Sequence, residues 1–309
     1  MPDRSVATPW TRDASRRALD QLFDLARKYR TSTAYRELLD FVVRFRFYSP
    51  YNAMLLHVQR PGATFVAPAD RWLNKYGRRT KTNASPLVIL RPMGPVLFVF
   101  DVSDTELEPG APPLPVEVER PFEVRTLHLG DELVRTITNV GRDGLAVSSQ
   151  AAGSQSAGSI RLAGGTGRHI DFMIKASPKP ECVRVPLRYE ILLNSTHSAP
   201  AQYATLVHEL AHLYCGHLGT PDDDWWPDRR AHSHYVKEVE AESISYLVCR
   251  RLGIETRSAE YLARLEQETA QLPDISLELV MTVAGLIEKM AGARLKPRLK
   301  RAPARGSRP

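Results

Sequence analysis

Two histidines and a glutamate interrupt an apolar run, Tyr203-Ala-Thr-Leu-Val-His208-Glu209-Leu-Ala-His212-Leu-Tyr214. Ionisable side chains inside such a stripe need a partner that offsets their desolvation. On an α-helix, residues four apart are neighbours on one face, so His208 and His212 point the same way and Glu209 lies on the flank of that face. A metal ion is the partner this HExxH spacing implies, with two imidazoles as ligands and a carboxylate beside them to act on water. Zinc in such a site acidifies water from about 15.7 to roughly 7, so Glu209 serves as a general base at neutral pH.

A catalytic zinc takes a third protein ligand, and the residues after His212 restrict the choice. The longer pattern HExxHxxGxxH is absent, because Cys215 and Leu218 stand where Gly and His would be needed. His217 falls one residue short and reads either as a helix-end histidine or as one that supports the site without binding metal. Downstream, His232 to Leu252 reads as a second helix ending at Gly253 and carrying Glu238, Glu240 and Glu242. At 100° per residue, Glu240 shares its face with Val236, Ser243, Ile244 and Leu247, whereas Glu238 and Glu242 project from the opposite side. A carboxylate on an apolar face needs a cation there, so Glu240 is the expected third ligand, with Glu242 the next alternative.

The stretch Tyr203 to His217, followed by Glu240-Ala241-Glu242-Ser243-Ile244-Ser245, resembles the ImmA/IrrE family of metallopeptidases. In that family an HExxH helix precedes a helix bearing E-A-(D/E/N)-x-(F/I)-(A/S), whose first Glu completes the zinc site. The resemblance implies zinc on His208, His212 and Glu240, Glu209 as base, and a gluzincin-like metalloendopeptidase that hydrolyses protein or peptide substrates.

The N-terminal half has a different character. Between Phe41 and Phe100 the bases Arg44, Arg46, Arg60, Arg71, Lys75, Arg78, Arg79, Lys81 and Arg91 face a single acid, Asp70, with aromatic residues interleaved. Tyr48-Ser-Pro-Tyr51-Asn52, Gln59-Arg-Pro, Arg71-Trp72, Gly77-Arg78 and Val99-Phe-Asp-Val-Ser-Asp-Thr-Glu106 are similar to the N-terminal domain of ArdC-type antirestriction proteins. That resemblance implies single-stranded DNA as a partner, and basic residues with stacking rings suit single strands because base stacking is sequence-tolerant. Phe41, Phe45, Phe98 and Phe100 alternate with apolar neighbours and are assigned to the core. Tyr48, Tyr51, Trp72 and Tyr76 remain as stacking residues, with Arg71, Lys75, Arg78, Arg79 and Lys81 for phosphates. The family's glycine-rich stretch is here Arg78-Arg79-Thr-Lys81-Thr-Asn-Ala-Ser.

These readings predict an α+β chain: a basic mixed α/β domain over 10–115, a zincin-like metallopeptidase domain over 122–292 and a disordered basic tail over 293–309. Arg12 to Phe47 reads as two amphipathic helices, Leu87–Leu90 and Val96–Phe100 as paired strands, and Pro109 to Pro121 as the boundary. Ser148–Gly167 reads as a flexible or hairpin loop. Val183 to Leu193 reads as a strand just before the zinc helix, where the resemblance to the peptidase family implies pairing with an extended substrate, and Ile275 to Met290 as a closing helix. The net charge of +7 resides in the tail, since removing its seven bases leaves 35 basic against 35 acidic residues. The three cysteines, Cys182, Cys215 and Cys249, make neither a disulfide framework nor a CxxC site. With no signal-like apolar segment and no run near the ~18–20 residues of a membrane span, the expectation is a cytoplasmic protein without membrane contact. A second reading competes with the peptidase: a non-catalytic DNA-binding antirestriction or regulatory protein whose zinc is structural or vestigial. An intact Glu209 favours the enzyme, because structural zinc has no use for an adjacent base.

Overall fold

The computed structural model describes residues 29–91, 94–111, 113–119, 129–153, 157–165, 167–175 and 178–298. The fold is α+β, as expected, and the chain forms two compact units that do not follow it linearly. The first comprises Met1–Thr126 with Ala259–Thr282, the second Leu127–Ser258 with Val283–Pro309.

In the first unit, α1 (Ser32–Arg44) starts at Thr31, whose hydroxyl accepts the Ala34 N–H at 3.3 Å. Its apolar stripe of Tyr35, Leu38, Leu39, Phe41 and Val42 is buried, as the helical spacing requires. The preceding amphipathic segment expected around Leu19 to Ala26 lies outside the described residues. Helices α2 (Pro50–Gln59) and α3 (Ala69–Tyr76) follow, separated by the short strand β1 (Val66–Ala67). Strand β2 (Arg78–Thr80) is followed by the expected antiparallel pair, β3 (Leu87–Arg91) and β4 (Gly94–Asp101), with Val88 opposite Phe98. Strand β5 (Thr105–Leu107) pairs with β2. The later segment joins this unit through the Leu272 N–H to the Arg30 carbonyl, 2.8 Å.

In the second unit, α4 (Glu132–Val140) leads to β6 (Leu145–Gln150), β7 (Gly158–Leu162), β8 (His169–Lys175), β9 (Glu181–Pro186) and β10 (Tyr189–Asn194). Strand β10 is central, parallel to β6 and antiparallel to β7, while β8 and β9 form a separate hairpin. Two expectations change here. The Gly- and Ser-rich segment 148–167 contains a strand, because Gly158 lets β7 run close to its neighbours. A Cβ there would meet the Leu192 carbonyl oxygen at 2.6 Å and Thr205 Cγ2 at 2.7 Å. The single strand expected over 183–193 is two strands in different sheets, divided after Pro186, and β10 is flanked on both sides. The outer strands of the β10 sheet are β6 and β7.

Helices α5 (Ala199–Tyr214), α6 (His234–Arg251), α7 (Arg257–Glu268) and α8 (Leu277–Gly292) complete the chain. The residues after α8, expected to begin a disordered tail, pack on the second unit as far as Arg298. The Leu295 N–H donates to Asn139 Oδ1 at 2.8 Å. Arg298 Nε donates to Asp143 Oδ1 at 2.8 Å, beside the Tyr214 hydroxyl bonded to the other oxygen of that buried carboxylate. Arg298 thereby joins Arg142, whose Nε lies 3.1 Å from Asp143 Oδ2, in offsetting the charge of this buried carboxylate. No helix among the described residues is long and apolar enough to cross a membrane.

Candidate metal centre

Asn194, 2% exposed at the end of β10, turns the chain toward α5 by accepting the Thr196 N–H (3.1 Å) and hydroxyl (2.8 Å) on Oδ1. Ser198 then opens the helix in an extended conformation, and Pro200 in the first turn presets the helical φ. Tyr203, Leu206, Val207, Leu210, Ala211 and Leu213 bury the core stripe. His208 and His212 sit at its margin, with side chains 23% and 15% exposed. Helix α6, started by Ser233 accepting the Val236 N–H at 3.3 Å, lies against α5 and supplies the carboxylates.

The two imidazoles converge as the sequence predicts: His208 Nε2 and His212 Nε2 are 3.1 Å apart. The carboxylate that meets them is that of Glu238. Its Oε1 is 3.3 Å from His212 Nε2 and its Oε2 is 3.8 Å from His208 Nε2. Two ligand atoms on one tetrahedral zinc at 2.0–2.2 Å lie about 3.3–3.6 Å apart, so this His, His, carboxylate set has the spacing and donor chemistry of a zinc site. Glu242, one turn on, places Oε1 3.7 Å from His208 Nδ1. His234, with an 87% exposed side chain, has Nδ1 3.5 Å from Glu238 Oε1.

Glu240, the third ligand expected from the sequence, meets other partners in the structure. Glu240 is fully buried, as the helical phase implied, but its cation is Arg229. Arg229 Nη1 donates to Oε2 at 2.5 Å and Nη2 to Oε1 at 2.7 Å, and His217 Nε2 is 2.9 Å from Oε2. Both oxygens are taken. The phase argument located the buried carboxylate, and the cation the structure sets against it is a guanidinium. Glu238, 26% exposed, lies at the margin of the apolar stripe, where a metal would keep a position open to solvent. One signal in the sequence pointed there: Glu238 and Glu242 repeat on α6 the four-residue spacing of His208 and His212. Nothing in the spacing marked Arg229.

Glu209 lies next to this group. Burial pushes its carboxyl above the usual range, opposed by the His208 charge and by a hydrogen bond from the Ile160 backbone of β7. Burial, with His208 the largest of several neighbouring charges, lowers His212 to about 3, which leaves it neutral and able to bind metal. Cys215 is fully buried with its thiol pushed well up by desolvation, in keeping with an apolar cysteine.

The nucleic-acid residues proposed from the sequence divide into two sets. Trp72 is 0% exposed and Tyr76 2%, packed with Phe65, Ala67 and Val118, and the Trp72 indole N–H donates to the Phe100 carbonyl at 2.8 Å. Neither ring can stack on a base while α3 is packed, because their spacing on α3 is that of an inward face. Tyr48 is half-buried, its hydroxyl donating to the Val66 carbonyl at 2.9 Å and pushed up to about 12 by burial. Tyr51 is half-buried and its hydroxyl is likewise raised by burial and by Glu278. Arg78 pairs β2 with β5 through Thr105, at 2.6 Å to Oγ1 and 3.0 Å to the carbonyl. Arg71, Lys75, Arg79 and Lys81 are exposed, although Arg79 reaches Glu108 at 2.5 Å and Lys81 the Ser103 carbonyl at 2.8 Å. The exposed ring that sequence reasoning missed is Phe47, 60% exposed and edge-on to Phe65 at 5.6 Å.

Residues 160–295 match the family model described as Peptidase_M78, the IrrE N-terminal-like domain. The match begins in β7 and includes both helices of the site. No curated protein matches the chain. Among solved structures, the metal-free crystal structure of the antirestriction ArdC protein from plasmid R388 aligns with 79% of this chain and 84% of its own, at 14% identity and a TM-score of 0.34.

Proposed function

We propose that the chain is a zinc-dependent metalloendopeptidase in which His208, His212 and Glu238 hold the metal and Glu209 is the general base. The observation that carries this reading is the convergence of the three donor groups, all ligand atoms within 4.8 Å of one another, at the half-exposed margin of a buried helix pair. The match to a peptidase family over residues 160–295 supports the same reaction class. When bound, zinc supplies a Lewis acid that polarises a peptide carbonyl and acidifies water.

The chain's own side chains do the remaining work. Glu209 takes a proton from water as the water oxygen bonds to the carbonyl carbon, then passes that proton to the departing amine nitrogen. Glu242 faces His208 from behind and orients its ring. The β7 edge opposite β10 offers backbone groups to an extended peptide, which brings its scissile bond past Glu209. His234, exposed beside Glu238, is the candidate donor to charge developing on the carbonyl oxygen.

The test combines metal analysis with a mixture of quenched fluorogenic peptides. Glu209→Gln is expected to retain one zinc per chain while hydrolysis falls by about 10²–10⁴-fold, the usual contribution of a positioned base. Hydrolysis at the parent rate by this variant, or a parent chain that takes up no zinc, would refute the reading.

A second role rests on the exposed charges of Arg71, Lys75, Arg79 and Lys81. With Trp72 and Tyr76 buried, binding of single-stranded DNA by the first unit relies on phosphate contacts and on Phe47 as its exposed ring. The non-catalytic reading, with zinc structural, remains the alternative that the Glu209→Gln comparison addresses.

A further inference from the structure

The metal helix ends in a turn that only glycine permits. Gly216 has φ 76°, and a Cβ there would lie 1.8 Å from the Pro227 carbonyl oxygen. The His217 N–H donates to the His212 carbonyl and the Gly216 N–H to the Leu213 carbonyl, both at 2.9 Å, the paired bonds of a Schellman motif. This turn folds the His217 ring back under the site, with Nδ1 2.9 Å from His212 Nδ1. The Gly216 carbonyl in turn accepts the Arg229 N–H at 2.9 Å, which fixes the loop that delivers the guanidinium to Glu240. The side chains of His217 and Glu240 are 2% and 0% exposed, and that of Arg229 is 12% exposed.

We propose that His217, Glu240 and Arg229 form a positioning chain that holds His212 as an Nε2 ligand. The inference rests on the metal-centre reading above. His212 must present the Nε2 lone pair to a metal, so its proton resides on Nδ1 and is donated to His217 Nδ1. His217 then carries its proton on Nε2 and donates it to Glu240 Oε2. The Arg229 fork keeps that carboxylate an acceptor and leaves no buried charge unpaired. Each tautomer thus fixes the next, and ring rotation of His212 would break the series. Cys215, His217 and Glu240 also approach one another as a buried group with metal-ligand atoms. Arg229 already supplies the cation there, so the cluster supports the centre without being a second one.

Cobalt(II) uptake by the zinc-free full chain, followed by visible absorption, and chelator competition for zinc provide readouts independent of activity. His217→Phe, which keeps the ring volume and removes both nitrogens, is expected to weaken metal affinity by about 10–100-fold and to alter the cobalt spectrum. His217→Gln, whose amide can both accept and donate, is expected to stay within about threefold of the parent. If His217→Phe does not fold, the pairwise replacement Arg229→Met/Glu240→Met decides, because removing both charges leaves none unpaired, and it too should weaken cobalt binding. Parent affinity in the folded variants, or equal losses in His217→Phe and His217→Gln, would overturn the chain of hydrogen bonds. A parent that binds no metal would overturn the metal centre itself.

Discussion

Glu238 Oε1 lies 3.3 Å from His212 Nε2, so the carboxylate that meets the histidine pair comes from the side of α6 that also carries Glu242. Glu240, two residues later and about 200° around the helix, is bound on both oxygens by Arg229. The two residues therefore respond to different losses. Glu238→Ala is expected to lower zinc affinity by several orders of magnitude while the metal-free chain melts close to the parent temperature, because a half-exposed carboxylate is removed. Glu240→Ala is expected to destabilise the metal-free chain by about 3–5 kcal/mol, the usual effect of leaving a buried charge unpaired. Metal affinity and denaturant unfolding measured on both metal-free variants check the contrast. A Glu238→Ala chain with parental zinc affinity would remove Glu238 from the ligand set.

Gly216→Ala should be among the most damaging substitutions in the second unit. Alanine at φ 76° costs about 1–2 kcal/mol from backbone sterics alone. The Pro227 carbonyl oxygen, 1.8 Å from the new methyl carbon, forces the 216–229 turn open as well. Both stability and metal affinity are expected to fall together, since the same turn places His217 and Arg229. Urea unfolding of the metal-free variant and zinc competition give the two numbers, and loss of one without the other would contradict the coupling.

Trp72→Ala separates core from DNA contact. With a fully buried indole bonded to the Phe100 carbonyl, the substitution is expected to cost about 3–5 kcal/mol of stability. Phe47→Ala is expected to weaken single-strand binding by about 1–3 kcal/mol and to leave the salt dependence intact, because a stacked ring releases no counterions. Replacing Arg71 or Lys75 should reduce the salt slope by about 1 each. Salt-dependent titration with single-stranded and duplex oligonucleotides checks all of these on chains ending at Arg298, which lack the last four bases of the tail and keep the Arg298–Asp143 pair. Equal weakening by Trp72→Ala and Phe47→Ala in folded protein would sink the assignment.

Much of this was legible because it follows from periodicity. The α1 stripe, the β3–β4 pair, the inward Phe41 and Phe45, and the placement of His208, Glu209 and His212 all come from spacing on one helix or strand. Three features were not, and each depends on a residue distant in sequence. Glu240 satisfied the rule that a buried carboxylate needs a cation, but the rule does not say which cation, and Arg229 lies in a loop with no periodicity. Trp72 and Tyr76, four apart on α3, share one helical face, and basic neighbours on the other face gave the segment the composition of a nucleic-acid surface. Strand β7 was hidden because Gly and Ser dominate where the backbone must pass close to Thr205 and Leu192. Local composition there reflects close packing and mimics a loop.

His57 is expected to make the first unit sensitive to acid. It is 6% exposed on α2, its ring 4.7 Å from that of Phe41 and 5.5 Å from that of Tyr29. Its Nδ1 has no hydrogen-bond partner among the described residues. Burial first, and the Arg44 charge second, lower its pKa from 6.5 to about 4. Between those values the unfolded chain binds a proton that the folded chain does not, so stability rises with pH across that window. The contribution of neutral His57 is complete above about 6.5, is lost as pH falls toward about 4, and changes no further below that. Other groups titrate in the same range, so the informative quantity is the difference between parent and His57→Phe, which has no proton to take up. The variant's urea midpoint is expected to fall less steeply than the parent's between about pH 6.5 and 4. Parallel curves for the two chains would show that His57 is protonated without cost and that its aromatic cage does not hold it neutral.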